Sequence, residues 1–563
     1  MAAKPDKNLK RQIRLCGAYL CLAASLPFRA EADALPDPEP SATAATTILA
    51  PASVDSISGV IGKITILNNS IFDLDIPEED KPLYRLANKA HITTRPGVIQ
   101  QQLLFNEGDE LTPAALKESE RILRRNRYIQ DADIQAVKND DGTVDVNVRT
   151  SDVWTLIPRL SLSRSGGENN AGIGLKEMNL FGTGMAVEAL YKSDVDRDST
   201  MLKFADHNLG NSWYSLSAVL ADNSDGHTQF LDLRMPFYSL ESTGAHGFSA
   251  LNNDQIDSLY ENGDIAARFR HETESFEVFR GGSKGLENGW ARRYLTGFVY
   301  DDHQFSAAPD DLAPGSVLPE NRKLVYPFVG FEVVEDRFEE TKNLEQVNRT
   351  EDRFLGTRVA ARLGYASTTL GSDRNAWIVR ANAQTGFGSS KKDSLILSSD
   401  LGTRIEDDGP QNLLLGVSAR YYRRQSERRL FYASLRGTYG HNLDIDNQLL
   451  VGGDNGLRGY PLRYQGGDQA AILTLEQRFF TDWYPFRLFR VGGAVFFDAG
   501  KTWSDQIDSL PNQGLLRNVG LGLRLGNTRS GQGRMTHIDL AFPLDGDQSI
   551  KNVQLIIETK KSF

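Results

Sequence analysis

The chain has 563 residues, is 40% hydrophobic and carries a net charge of −11, which excludes the basic face that nucleic-acid binding requires. Mean hydropathy is −0.39, and no apolar run reaches the ~20 residues of a membrane-spanning helix. The length suits two or more domains or one large β-structure.

The N-terminus has the three parts of a secretory signal: a basic region with Lys4, Lys7, Lys10, Arg11 and Arg14, a short apolar run over 15–26, and Ala30-Glu31-Ala32. Cleavage is expected after Ala32, making residues 1–32 a signal peptide. The only cysteines, Cys16 and Cys21, fall inside it. The mature chain is therefore expected to have no disulfide, cysteine–metal site or cysteine nucleophile. Residues 33–58, rich in Ala, Pro, Ser and Thr, read as a flexible linker.

A small α/β domain is predicted over 59–150. A strand over 62–72 is followed by an inserted helical stretch over 73–92 and a helix over 93–105 with Thr94 as its cap. A second helix starts at Thr112-Pro113, where a capping hydroxyl precedes proline at the first helical position. Residues 131–137 and 143–149 alternate as a hairpin. The order is β-α-α-β-β, and either hairpin strand could accept a guest strand at a sheet edge.

From 151 to 563 the period becomes two. Val187, Ala189 and Tyr191 oppose Glu188 and Lys192; Trp377, Val379, Ala381 and Ala383 oppose Arg380, Asn382 and Gln384; Val519, Leu521, Leu523 and Leu525 oppose Arg524 and glycines. A soluble sandwich or propeller and a transmembrane antiparallel β-barrel both fit such a pattern. The charged inner faces favour the barrel, as does the lack of disulfides. So do the aromatic groups Trp213-Tyr214, Tyr421-Tyr422 and Phe479-Phe480 with Trp483-Tyr484, which resemble interface girdles. The last strand alternates through Val553, Leu555 and Ile557 and ends on Phe563, resembling the sorting signal of outer-membrane barrels.

Within this region GGDNGLRGYP (452–461) places one arginine in a glycine-rich loop. Parity along the next two strands turns Glu476 and Arg478, then Phe496, Asp498 and Gly500, toward the lumen. Two carboxylates there want a cation. If the loop folds inward, Arg458 supplies a bidentate fork. Pro158 cannot donate to a ladder; it either starts the first barrel strand or weakens a seam between first and last strands. Gly281-Gly282-Ser283-Lys284-Gly285 matches a nucleophile elbow in letters only, lacks the following helix, and reads as a hairpin turn. No enzyme, metal or cofactor site is predicted.

Leu457-Arg458-Gly459-Tyr460, the Phe496-x-Asp498-x-Gly500 pattern, GLKEMNLFGTG (174–184) and the aromatic C-terminus resemble the BamA-type superfamily of outer-membrane insertases and polypeptide translocators. The small domain resembles that family's polypeptide-transport-associated (POTRA) domain. The resemblance implies a barrel of about 16 strands in the outer membrane of a Gram-negative bacterium, with POTRA in the periplasm. It also implies an inward loop locked by Arg458, Gly459, Tyr460, Glu476, Asp498 and Gly500, and a seam marked by Pro158 and Phe563. Implied partners are unfolded or nascent outer-membrane or exported polypeptides, membrane lipid and periplasmic accessory proteins. Essential insertases carry several POTRA domains and two-partner secretion transporters usually two, whereas one is found here. A secretion pore of the two-partner type, or a passive or ligand-gated channel, is the alternative.

Overall fold

The computed structural model describes residues 59–560 apart from 262, 310–317, 348, 505–513, 532–534 and 547–549. The expected signal peptide, the linker and Phe563 lie outside the described residues.

Residues 59–152 form a small α/β layer. Strand β1 (Ile61–Asn69) leads through α1 (Pro82–Ala90), α2 (Pro96–Gln100) and α3 (Pro113–Arg125) to the hairpin β2 (Ile129–Lys138) and β3 (Val144–Asp152). Proline opens each helix, where its missing N–H costs nothing. Thr112 caps α3 through its hydroxyl, which accepts the Ala115 N–H at 3.2 Å. The expected helix over 93–105 is cut to α2. Its cap position is Arg95, and Thr94 instead gives its N–H and hydroxyl to the buried Asp152 carboxylate at 2.7 and 2.9 Å. The residue before a proline favours extended backbone, so Pro96 fixes the start.

The sheet order is β1-β3-β2, with β3 parallel to β1 and antiparallel to β2. Val144, Val146 and Val148 of β3 pack with Leu116 and Leu123 of α3. Because β3 is central, it cannot receive a guest strand; β1 and β2 are the edge strands, and residues 107–110 already occupy the first half of the β1 edge. Part of the β2 edge is already capped: Glu120 accepts the Ile134 N–H at 2.7 Å and Arg124 donates to the Ala132 carbonyl at 3.0 Å.

The rest is a closed antiparallel barrel of twenty strands among the described residues, from Leu156–Ser165 to Gln554–Lys560. The expected figure of about 16 is thus too low. Ten strands precede residue 348, and ten run from Arg358–Ala366 onward. The ring keeps an even number, which lets every strand be antiparallel to both neighbours. Several strands outgrow a membrane: Asp264–Glu287 has 24 residues, roughly 80 Å of chain against an apolar band of about 25 Å.

Parity holds along the wall. Leu521 is 57% exposed on the outer face, while Arg524 is fully buried on the inner one. The same rule splits adjacent aromatics. Tyr422 and Phe480 point inward and are buried, so only one member of each of these pairs can serve an outer girdle. The Gly281–Gly285 stretch lies inside the strand Asp264–Glu287, not in a turn. The reversal comes at Asn288-Gly289, both with positive φ, the Asn-Gly pair of a tight hairpin.

The ring closes between the last strand and the first. Among the described residues, the last strand makes seven Cα pairs with Met535–Pro543 and one with the first strand, Ile557 to Arg164. Pro158 pairs with Leu175 on its other side and brings no N–H to that seam.

Candidate functional site in the barrel lumen

The long connection between strands Arg429–His441 and Gln469–Phe480 folds back onto the inner wall. A short ladder, Leu449–Val451 with Gln465–Gly467, holds its stem. Leu457 and Tyr460 are fully buried, packed with Val451, Tyr464, Ile472 and Leu516. The glycines act mainly by lacking a side chain. Of Gly452, Gly453, Gly456 and Gly459, only Gly456 has positive φ. A Cβ on Gly459 would lie 2.7 Å from Asn518 Cβ, and one on Gly453 would meet the Tyr460 carbonyl at 2.4 Å. Gly500 leaves room for Leu457, whose Cδ2 would sit 3.1 Å from an added Cβ. The Tyr460 hydroxyl donates to the Arg517 carbonyl at 2.6 Å and accepts the Arg517 N–H at 2.9 Å, so the loop is stitched to the wall.

Arg458 is thereby delivered to the lumen wall at 6% exposure. Its Nε and Nη2 donate to the two oxygens of Asp498, both at 2.8 Å, in the two-pronged geometry that guanidinium allows. Nη1 donates to Glu476 at 2.9 Å and to Asp539 at 3.4 Å. Its plane lies 3.4 Å over the Phe496 ring. Asn518 Nδ2 donates to Asp498 at 2.9 Å, and Arg478 Nε to Glu476 at 3.0 Å. Arg524 Nη1 donates to Asp539.

Arg458, Arg478 and Arg524 thus face Glu476, Asp498 and Asp539, and the charges balance. Isolated ions would be costly here, because burial disfavours any charge without a partner. A balanced set is stable in one arrangement and fails when one member leaves. Its chemistry is that of a clasp joining a loop to four wall strands. Glu476 and Asp498 were placed inward from parity alone. Parity also turns Arg524 inward, but the sequence does not single it out for this site, nor Asp539 and Asn518, although the alternation that gives Asp498 runs on through VGLGLRLG and MTHIDLAF.

Residues 348–557 match the model of the Omp85 superfamily domain. No curated protein matches the chain. Solved structures resembling it include BamA from Haemophilus ducreyi lacking POTRA domains 1-3, at 12% identity over 90% of this chain and 84% of that one, with a TM-score of 0.36. CdiB from Escherichia coli is 12% identical over 89% and 76%, with a TM-score of 0.46. CdiB from Acinetobacter baumannii is 13% identical over the whole of both chains, with a TM-score of 0.42.

Proposed function

We propose, from the premise that residues 348–557 are an Omp85 superfamily domain, that this outer-membrane β-barrel assembles or translocates unfolded polypeptides. Residues 59–152 act as a single periplasmic POTRA domain that receives the client. The observation that carries the reading is the Arg458 clasp, a loop drawn into the lumen and held there by a buried, charge-balanced set whose release would free it. The first-to-last seam, with one Cα pair among the described residues, Ile557 to Arg164, is the proposed lateral exit. On the POTRA domain the guest pairs at β2, beyond the stretch capped by Glu120 and Arg124. The test is to delete the domain and, separately, to introduce Arg458→Ala. Each should leave a heat-modifiable barrel with defective client assembly. A secretion pore of the two-partner type would instead lose one exported protein with the outer-membrane proteome intact.

A further inference from the structure

The turn between strands Arg322–Glu335 and Arg358–Ala366 is no simple reversal. It carries its own hairpin, Phe338–Thr341 paired with Glu351–Phe354, and a tip that runs into the lumen. Leu344 and Val347 of the tip are buried against Tyr422, Leu430, Phe480, Ala494 and Met535. Met535 begins a strand eight places round the twenty-strand ring from the one to which the hairpin returns, so the tip crosses the mouth. Arg478 Nη1 donates to the Leu344 carbonyl at 3.0 Å, Arg424 Nη2 donates to the Lys342 carbonyl at 2.7 Å, and the Tyr422 hydroxyl donates to Glu345.

The same hairpin is fastened to the small domain. Arg124 of α3 reaches Asp352 at 2.6 and 2.9 Å and Glu340 at 2.7 Å. Thr350 donates to Asp131 of β2 at 3.0 Å. Arg121 of α3 lies over the Phe338 ring at 4.4 Å. Arg478, bound to the tip, also binds Glu476 at 3.0 Å, and Glu476 binds Arg458 at 2.9 Å. Two sets of polar contacts, linked by the hairpin's own backbone, therefore join α3 to the loop clasp.

We propose that this hairpin is a periplasmic plug that closes the lumen opposite the Arg458 loop, and that movement of the small domain withdraws it. The inference deepens the function proposed above and rests on it for the meaning of opening; the plug itself is read by conductance alone. A domain that captures a client at β2 pulls on the strand beside Asp131, and Arg124 carries that pull to Asp352. Withdrawal of the tip removes the Leu344 carbonyl from Arg478 and loosens the clasp behind it. Client arrival thus favours opening, and without a client the tip withdraws only in brief spontaneous openings.

The geometry offers a reversible test. An ideal Cβ on Gly526 would lie 3.6 Å from Val347 Cβ, within disulfide range. In full-length protein in planar bilayers, Arg458→Ala frees the loop. In that background, Val347→Cys with Gly526→Cys should hold conductance at the closed level when oxidised and release it on reduction. Leu344→Asp with Val347→Asp in the same background should open the pore without reductant. With the loop intact, Arg124→Ala should change how often openings occur and leave their size unchanged. Heat-modifiable gel mobility checks that each variant is folded. Equal conductance of the oxidised and reduced chains, or an aspartate pair that stays closed, would overturn the plug. If the gate responds as described while locking it leaves outer-membrane protein assembly unharmed, the plug stands and the client reading fails.

Discussion

At the scale of single residues the decisive quantity is the cost of an unpaired buried charge. Removing Arg458 leaves the fully buried Asp498 without its arginine and Glu476 with Arg478 and the more distant Arg524, a loss on the order of 3–5 kcal/mol. Arg458→Ala is expected to expose the loop to protease while the barrel keeps its heat-resistant mobility. Arg458→Lys should recover part of the loss, because an ammonium cannot span both Asp498 oxygens. The charge swap Arg458→Asp with Asp498→Arg should rescue poorly: the new aspartate would face Glu476 and Asp539, which a two-residue view of the site leaves out. Gly459→Ala tests shape apart from charge. Its methyl would overlap Asn518, so the loop should loosen with every charged group intact. The loop arginine and two of its acceptors were legible because alternation is strict along a strand. Asn518 and Asp539 were not singled out, because only the fold shows how many neighbouring strands one guanidinium can reach.

At the scale of elements, the hairpin Phe338–Thr341 with Glu351–Phe354 carries its own pH response. Burial pushes the Glu351 carboxyl up to about 7 and the Glu345 charge adds to this, against the pull of the N–H groups of Leu344, Gln346 and Glu345. Arg349 and Arg424 are the cations facing it. A carboxyl whose folded value is raised binds its proton more tightly folded than unfolded. Its contribution is full below about 4.5 and is lost as pH rises toward 7. The tip should therefore exchange amide hydrogens faster at pH 8 than at pH 5, beyond the intrinsic dependence. Glu351→Gln should flatten that excess; an unchanged excess would show that another group sets it. The hairpin itself was not legible, since two four-residue strands in a turn look like any polar loop. The small domain's central strand shows the converse. Val144, Val146 and Val148 announced a strand, but only the β1-β3-β2 order reveals that it has no free edge. Thr94 has a capping side chain and a proline two residues on, yet the nearby buried Asp152 carboxylate takes both its donors.

For the whole molecule, closure of the twenty-strand ring leaves no free edge, and the first-to-last boundary has one Cα pair among the described residues. A barrel was legible from period two and charged inner faces; its size was not. The figure of about 16 came from the resemblance, and strands of 18 to 24 residues hide bulges that blur turn counting. The seam leads to a prediction: cysteines at Ile557 and Arg164, oxidised in the assembled barrel, should stop client assembly and reduction should restore it. Full activity of the oxidised form would put the exit elsewhere. The most direct measurement of the central claim is the assembled outer-membrane proteome, quantified by heat-modifiable mobility and mass spectrometry, in cells lacking this chain and complemented with wild type or Arg458→Ala. A set of assembled outer-membrane or exported proteins is expected to fall without the chain, return with wild type, and stay low with Arg458→Ala present at equal level in the membrane. An unchanged proteome in cells lacking the chain, or full recovery with Arg458→Ala, would contradict that claim.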